Sequence, residues 1–173
     1  MKEIPLTKGY VAQVDDEDYA KVSQYRWCAS EKRNAAGRVF NVYAVRSVAL
    51  EGGKRRLQLM HRFILGLVDP KVQVDHAPDS GGLNNQRTNL RTTRTQNPCN
   101  TRLSNANSSG YKGVSWDKKK EKWCAQIWAS NKHKFLGYYG SAQEAARVYD
   151  AAAVKSFGKF AKTNAMLGLL EEQ

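Results

Sequence analysis

The sequence predicts an α+β protein made of two units joined by a polar linker. Three features predict it. Short runs rich in valine and aromatic residues alternate with a few stretches of helical period. Residues 101–109 carry almost no apolar side chain, as a linker does. The basic charge is concentrated beyond that segment: the chain holds 28 Lys and Arg against 16 Asp and Glu, net +12, and residues 109–165 alone hold 11 basic and 4 acidic side chains. The division this predicts is 1–100, a linker at 101–109, a second unit at 110–165 and a tail at 166–173.

In the first unit, Val11 and Val14 flank polar residues as in a short strand. The four acids 15–18 then make a helix start, with Tyr19, Val22 and Tyr25 or Arg26 on one face. Two readings of the acids stay open, a first turn that favours negative charge and a second metal site. Residues 30–37 read as a turn, and 39–45 have strand composition. Gly52, Gly53, Lys54, Arg55 and Arg56 form a basic hairpin tip between Val48 and Leu57, suited to DNA backbone contact or simply to solubility. A helix is expected over 60–67, then a connection bounded by Pro70, a strand at 72–74, a turn at Gly81 and Gly82, and a helix beginning near Asn89 or Thr95. So small a unit has little core of its own and should lean on the amino-terminal strands.

In the second unit, residues 111–116, 122–128 and 134–139 read as three strands with polar turns between them. The two-residue period puts Trp123, Ala125 and Ile127 on one face, expected to be core, and Gln126 and Trp128 on the other. Ser141 followed by Glu144 is a capping-box pattern. Ala145, Val148, Tyr149 and Ala152 recur at helical spacing until Gly158 supplies a stop.

Composition narrows the function classes. The positive charge favours a polyanionic partner, nucleic acid first and an anionic membrane surface second. No apolar run approaches the roughly 20 residues of a membrane span, and the first five residues do not begin a signal peptide, so an intracellular protein is expected, in cytoplasm or nucleoid. Cys28, Cys99 and Cys124 are isolated, which predicts reduced thiols and no structural zinc.

The polar series Asp75, His76, Asn89 and Asn97 carries the most chemistry. Asp75 and the amide of Asn97 can give a hard divalent cation two oxygen ligands, leaving positions for water and phosphate oxygens. The imidazole of His76 can take a proton from an attacking water near neutral pH. Together these would suit phosphodiester hydrolysis; the competing reading is an ordinary polar loop.

With its context of Met60, His61, Arg62, Phe63, Ile64, Leu65 and Gly66 before it, and Leu83, Asn84, Asn85, Leu90, Arg91 and Gln96 within it, this series resembles the HNH homing endonucleases. The subclass is the one with Asn at the third motif position. The resemblance implies a ββα-metal unit, His76 as general base, Asp75 and Asn97 as ligands to one Mg2+ or Mn2+, and Asn89 buttressing the loop that orients His76. His61 would then be a packing histidine or touch the site. Arg62, Arg87 and Arg91 would be phosphate neighbours or a solvated basic face.

A second resemblance rests on Tyr-Lys-Gly-Val at 111–114, Lys-Trp-Cys-Ala-Gln-Ile at 122–127, Phe-Leu-Gly-Tyr-Tyr at 135–139, the alanine-rich segment 144–153 and Phe-Gly-Lys-Phe-Ala-Lys-Thr-Asn at 157–164. In order, these resemble the AP-two DNA-binding domain of plant ethylene-response factors and of phage homing endonucleases. That family lays a three-stranded sheet, packed on one helix, in the major groove. Carried over position by position, the reading face includes Lys112, Ser115, Gln126, Trp128, His133, Phe135 and Tyr138, with Tyr149 on the helix reaching a phosphate. Ser115, Trp128 and His133 stand where the plant domains place arginines, so their target sequence does not transfer. Gln126 can hold adenine through two hydrogen bonds, worth about 1–3 kcal/mol. Trp128 is either a sugar or base contact or an exposed sheet aromatic packed on its neighbours.

The chain thus reads as a metal-dependent DNA endonuclease of the HNH homing type, acting on double-stranded DNA as a monomer or weak dimer and nicking one strand. No membrane or small-molecule substrate is expected. The alternative is a noncatalytic sequence-specific DNA-binding regulator that keeps an HNH shell. A structural RNA-binding protein fits the charge but explains neither motif.

Overall fold

The computed structural model describes residues 1–93, 103, 107–130 and 132–170, in two compact units that divide between Thr95 and Gln96. The first opens on an antiparallel hairpin of β1 (Lys2–Pro5) and β2 (Val11–Val14). Helix α1 (Asp16–Val22) follows, with Asp16, Glu17 and Asp18 in its first turn. Three further strands, β3 (Cys28–Arg33), β4 (Val39–Ala49) and β5 (Arg55–Leu59), form an antiparallel sheet with β4 in the middle. The basic tip between β4 and β5 turns on Gly52 and Gly53, both at positive φ.

Helix α2 (Met60–Ile64) is shorter than the sequence expectation. It stops because Gly66 adopts a left-handed φ of 64°, a conformation suited to glycine at a helix end. Met60 and Ile64 join Ile4, Ala12, Val14, Val22, Trp27 and Ala44 in one core, so the first hairpin, both helices and β4 share their burial. Arg46 caps the edge of this core, its guanidinium 3.6 Å from the Tyr25 ring centroid and 4.3 Å from that of Phe63.

β6 (Gln73–His76) pairs antiparallel with β7 (Leu90–Thr93), placing Asp75 opposite Arg91 and His76 opposite Leu90. The connection between them is pinned to β2, since Asn85 N donates to Gln13 O and Gln13 N to Leu83 O. A helix does not begin at Asn89: the chain leaves it as β7 because it pairs with β6. Thr95 lies outside the described residues.

In the second unit, β8 (Val114–Asp117), β9 (Lys122–Ala129) and β10 (Lys132–Tyr139) form an antiparallel sheet with β9 central. Helix α3 (Ala142–Phe157) covers one face. Its start is capped by Ser141, whose hydroxyl accepts from Glu144 N at 3.1 Å, and it ends at Gly158, φ 56°. Ala142, Ala145 and Ala146 let the helix approach Val114 and Ala125 closely, while Tyr149 and Ala153 pack on Ile127. Beyond the helix, the fully buried Asn164 exchanges hydrogen bonds with the Lys112 backbone and donates to the Asp150 carboxylate. Farther on, Leu170 packs on the Val114 cluster.

Candidate nucleic-acid interface

Strand register decides which side chains share the open face of the second sheet. Ser115 pairs with Cys124, Phe135 with Gln126, His133 with Trp128 and Tyr138 with Cys124. Directly opposed residues project on one side, and Ala125 and Ile127 between them are buried under α3 on the other. Ser115, Gln126, Trp128, His133, Phe135 and Tyr138 therefore lie together on the face that α3 leaves open. Three of them are large apolar groups with much surface in water, Trp128 at 47%, Phe135 at 56% and Tyr138 at 38%. They form two contacts, Trp128 with His133 at 6.3 Å between ring centroids and Phe135 edge-on to Tyr138 at 5.0 Å.

Asp117 belongs to the same face and was not singled out by the sequence, although an aspartate closing a strand before three lysines is a turn signal. One of its oxygens accepts from Lys119 N and Lys120 N, and the other from the Tyr138 hydroxyl at 2.9 Å. The Tyr138 bond holds the Asp117 carboxyl below its usual range, and the same bond raises the Tyr138 phenol. Tyr138 is thus held by its hydroxyl with one ring edge against Phe135.

Two expected DNA contacts, Lys112 on the face and Tyr149 reaching a phosphate from the helix, are packed inside the unit. Lys112 is buried, its ammonium donating to Lys162 O and its amide to Asn164, because it precedes β8 on the side where the chain after α3 crosses. Tyr149 is also buried, its ring filling the space left by the missing side chain of Gly113. Neither stands on the open face.

In the first unit, Asp75 and His76 share β6. The Asp75 carboxylate is buried and paired with Arg91 at 2.8 Å. The His76 ring meets His61 at 4.9 Å and Tyr43 at 5.9 Å. Burial pushes the His76 imidazole below the ordinary histidine range, with Asn85 and Asp75 opposing. Its Nε2 is shut away from solvent, as is Asn85 Oδ1. His61 is a packing histidine, pushed down to about 3 by burial first and by His76 and Arg62 next. Asn89 is buried and donates to Asn84 O at 2.8 Å, tying the loop that leads back to β7.

The arginines expected beside phosphate are committed within the protein. Arg62 donates to Val72 O and Asp69 O, Arg87 grips both Asp18 oxygens at 2.8 Å, and Arg91 holds Asp75. Arg87 also explains the acidic cluster: the Asp15 carboxylate accepts from Gln86 Nε2 and Arg87 N, and Glu17 pairs with the same guanidinium. Asp15, Glu17 and Asp18 are the one group of three potential ligands among the described residues, and these bonds give them an ordinary docking role. Asn97 lies outside the described residues. Asp75 is paired with Arg91, so a Mg2+ or Mn2+ ion taking that carboxylate would have to displace the guanidinium.

No protein-family model matches the chain, and no solved structure matches it. Curated plant proteins do, and the likeness concerns the carboxy-terminal domain. The chain is 42% identical over 65 residues to the AP2-like ethylene-responsive transcription factor TOE2 of Arabidopsis thaliana, a match covering 38% of this chain and 13% of the plant protein. It is 38% identical over 65 residues to APETALA2-like protein 2 of Oryza sativa, in both the indica and japonica subspecies, covering 38% of this chain and 15% of each relative. The chain thus spans under a sixth of the length of these relatives. The carboxy-terminal resemblance is supported by them; the HNH one is not. They also correct the expectation of an enzyme: one is named a transcription factor and none a nuclease. In the structure His76 Nε2 is shut away from solvent and the neighbouring Asp75 carboxylate is already paired with Arg91. Among the described residues no helix is long and apolar enough to cross a membrane.

Proposed function

We propose that the chain is a noncatalytic, sequence-specific binder of double-stranded DNA that reads bases through the open face of β8, β9 and β10, its amino-terminal unit keeping an HNH-like shell. The observation that carries this reading is the face itself. Trp128, Phe135 and Tyr138 stand exposed together on the side that α3 leaves open, and contiguous apolar patches of this kind mark interaction surfaces. Around it, Lys118, Lys119, Lys120 and Lys122 are exposed, ready for phosphates, and the major groove, about 12 Å wide, admits strands as well as a helix. The likeness to a plant transcription factor falls on this unit.

The test is selection of the full chain against a random duplex pool, followed by anisotropy titration of the winners. A preferred sequence should emerge, bound on the order of a thousandfold more tightly than random duplex. Trp128→Ala should cut that margin about tenfold. Equal affinity for every duplex would refute sequence-specific reading.

A further inference from the structure

The base composition of the target follows from which side chains occupy the middle of the open face, and this step rests on the reading just proposed. Gln126 on β9 and Phe135 on β10 are direct cross-strand partners, so their Cβ atoms stand about 5 Å apart on one side of the sheet. That spacing covers one base pair and its neighbour, which are stacked about 3.4 Å apart. The Gln126 carboxamide makes no hydrogen bond among the described residues, leaving a donor and an acceptor side by side. Phe135 is more than half exposed and held edge-on by Tyr138, whose own orientation is fixed by Asp117. A carboxamide matches adenine N6 and N7, and an apolar ring matches the 5-methyl group of thymine.

The complementary observation is what the face lacks. Guanine is read most often by arginine or lysine. Arg147 is the one arginine among the described residues of this unit, and it lies on the exposed side of α3. Lys132 and Lys134 pair with Ala129 and Ile127, whose side chains point to the helix side, so they project away from the open face. Lys122 pairs with Asp117 at the far end of the sheet. Among the described residues, the centre of the face therefore has no lysine or arginine to offer O6 and N7 of guanine.

We infer that the sheet selects an element containing A·T pairs, in which Gln126 holds adenine through two hydrogen bonds and Phe135 recognises thymine by its 5-methyl group. The full chain is first used to select its site from random duplexes. Each thymine of that site is then replaced in turn by deoxyuridine, which lacks only the methyl group. Affinity should fall about fourfold at one or two positions, the scale set by one buried methyl. Phe135→Ser should abolish that sensitivity and Phe135→Leu should keep it. Gln126→Ala should lose the preference for adenine beside that thymine by about fivefold to a hundredfold. Phe135 is exposed and Gln126 half-buried outside the core, so unchanged thermal unfolding of each variant separates reading from folding. A selected site made only of G·C pairs, or one indifferent to deoxyuridine at every position, overturns the inference while leaving sequence-specific binding intact. Failure to enrich any sequence overturns the underlying reading and the inference with it.

Discussion

At Gly113 the absence of a side chain is a structural requirement. A Cβ there would sit 2.0 Å from Cδ2 of Tyr149, and the backbone φ of +74° is one that other residues rarely adopt. Gly113→Ala should therefore destabilise the second unit by about 2–5 kcal/mol, combining left-handed strain with overpacking, as urea unfolding would measure. An alanine variant of parental stability would mean that Tyr149 is free to move, as a phosphate contact needs. His61 gives a second residue-scale prediction through pH. Its folded value near 3 lies below the ordinary 6.5, so the unfolded chain binds the extra proton between these values. Stability is fully present above about pH 6.5 and falls as pH drops toward 3. His76, lowered in the same direction, adds to the slope. The urea midpoint of the first unit should decline over that window, and His61→Gln should flatten the decline; an unchanged slope in the variant would remove His61 as its source.

The elements show which parts of this fold are written locally. On β9 the two-residue period places Ala125 and Ile127 in the core and leaves Trp128 in water, as the pattern of residue types indicates. The helix α3 is legible for the same reason: a serine cap, a glutamate three residues on and a terminal glycine all act within one turn of where they stand. Distant partners are not legible. Arg87 and Asp18 meet across 69 positions, Lys112 and Asn164 across 52, and no local pattern marks an arginine as spent on a carboxylate rather than free for phosphate. That is why Arg62, Arg87, Arg91 and Lys112 were expected outside and are found engaged. Adjacent residues on β9 supply the test at this scale. Ile127→Ala should cost about 2–5 kcal/mol of stability through the lost contacts with Tyr149 and Ala153. Trp128→Ala should leave stability within about 0.5 kcal/mol and instead weaken duplex binding about tenfold. A Trp128 variant that unfolds early would make that ring a packing residue and not a reader.

For the whole molecule, charge and metal dependence distinguish a binder from a nuclease. A net charge of +12 should appear as a linear fall of log affinity with log salt, about 0.9 for each phosphate neutralised. Lys122→Ala should lower that slope by about one without changing the bases preferred, while Gln126→Ala should change the preference and leave the slope alone. Excess chelator should alter neither. Supercoiled plasmid carrying the selected site should stay intact with Mg2+ or Mn2+, because Asp75, the carboxylate expected to hold the ion, is held by Arg91. The control is His76→Ala, assayed beside the parent protein for strand breaks and for affinity. Metal-dependent nicking by the parent that disappears in this variant, with affinity unchanged, would show that the Arg91 pair opens on DNA and would overturn the noncatalytic reading. Intact plasmid and equal affinity in both proteins would leave the open face of the second sheet as the working surface of the chain.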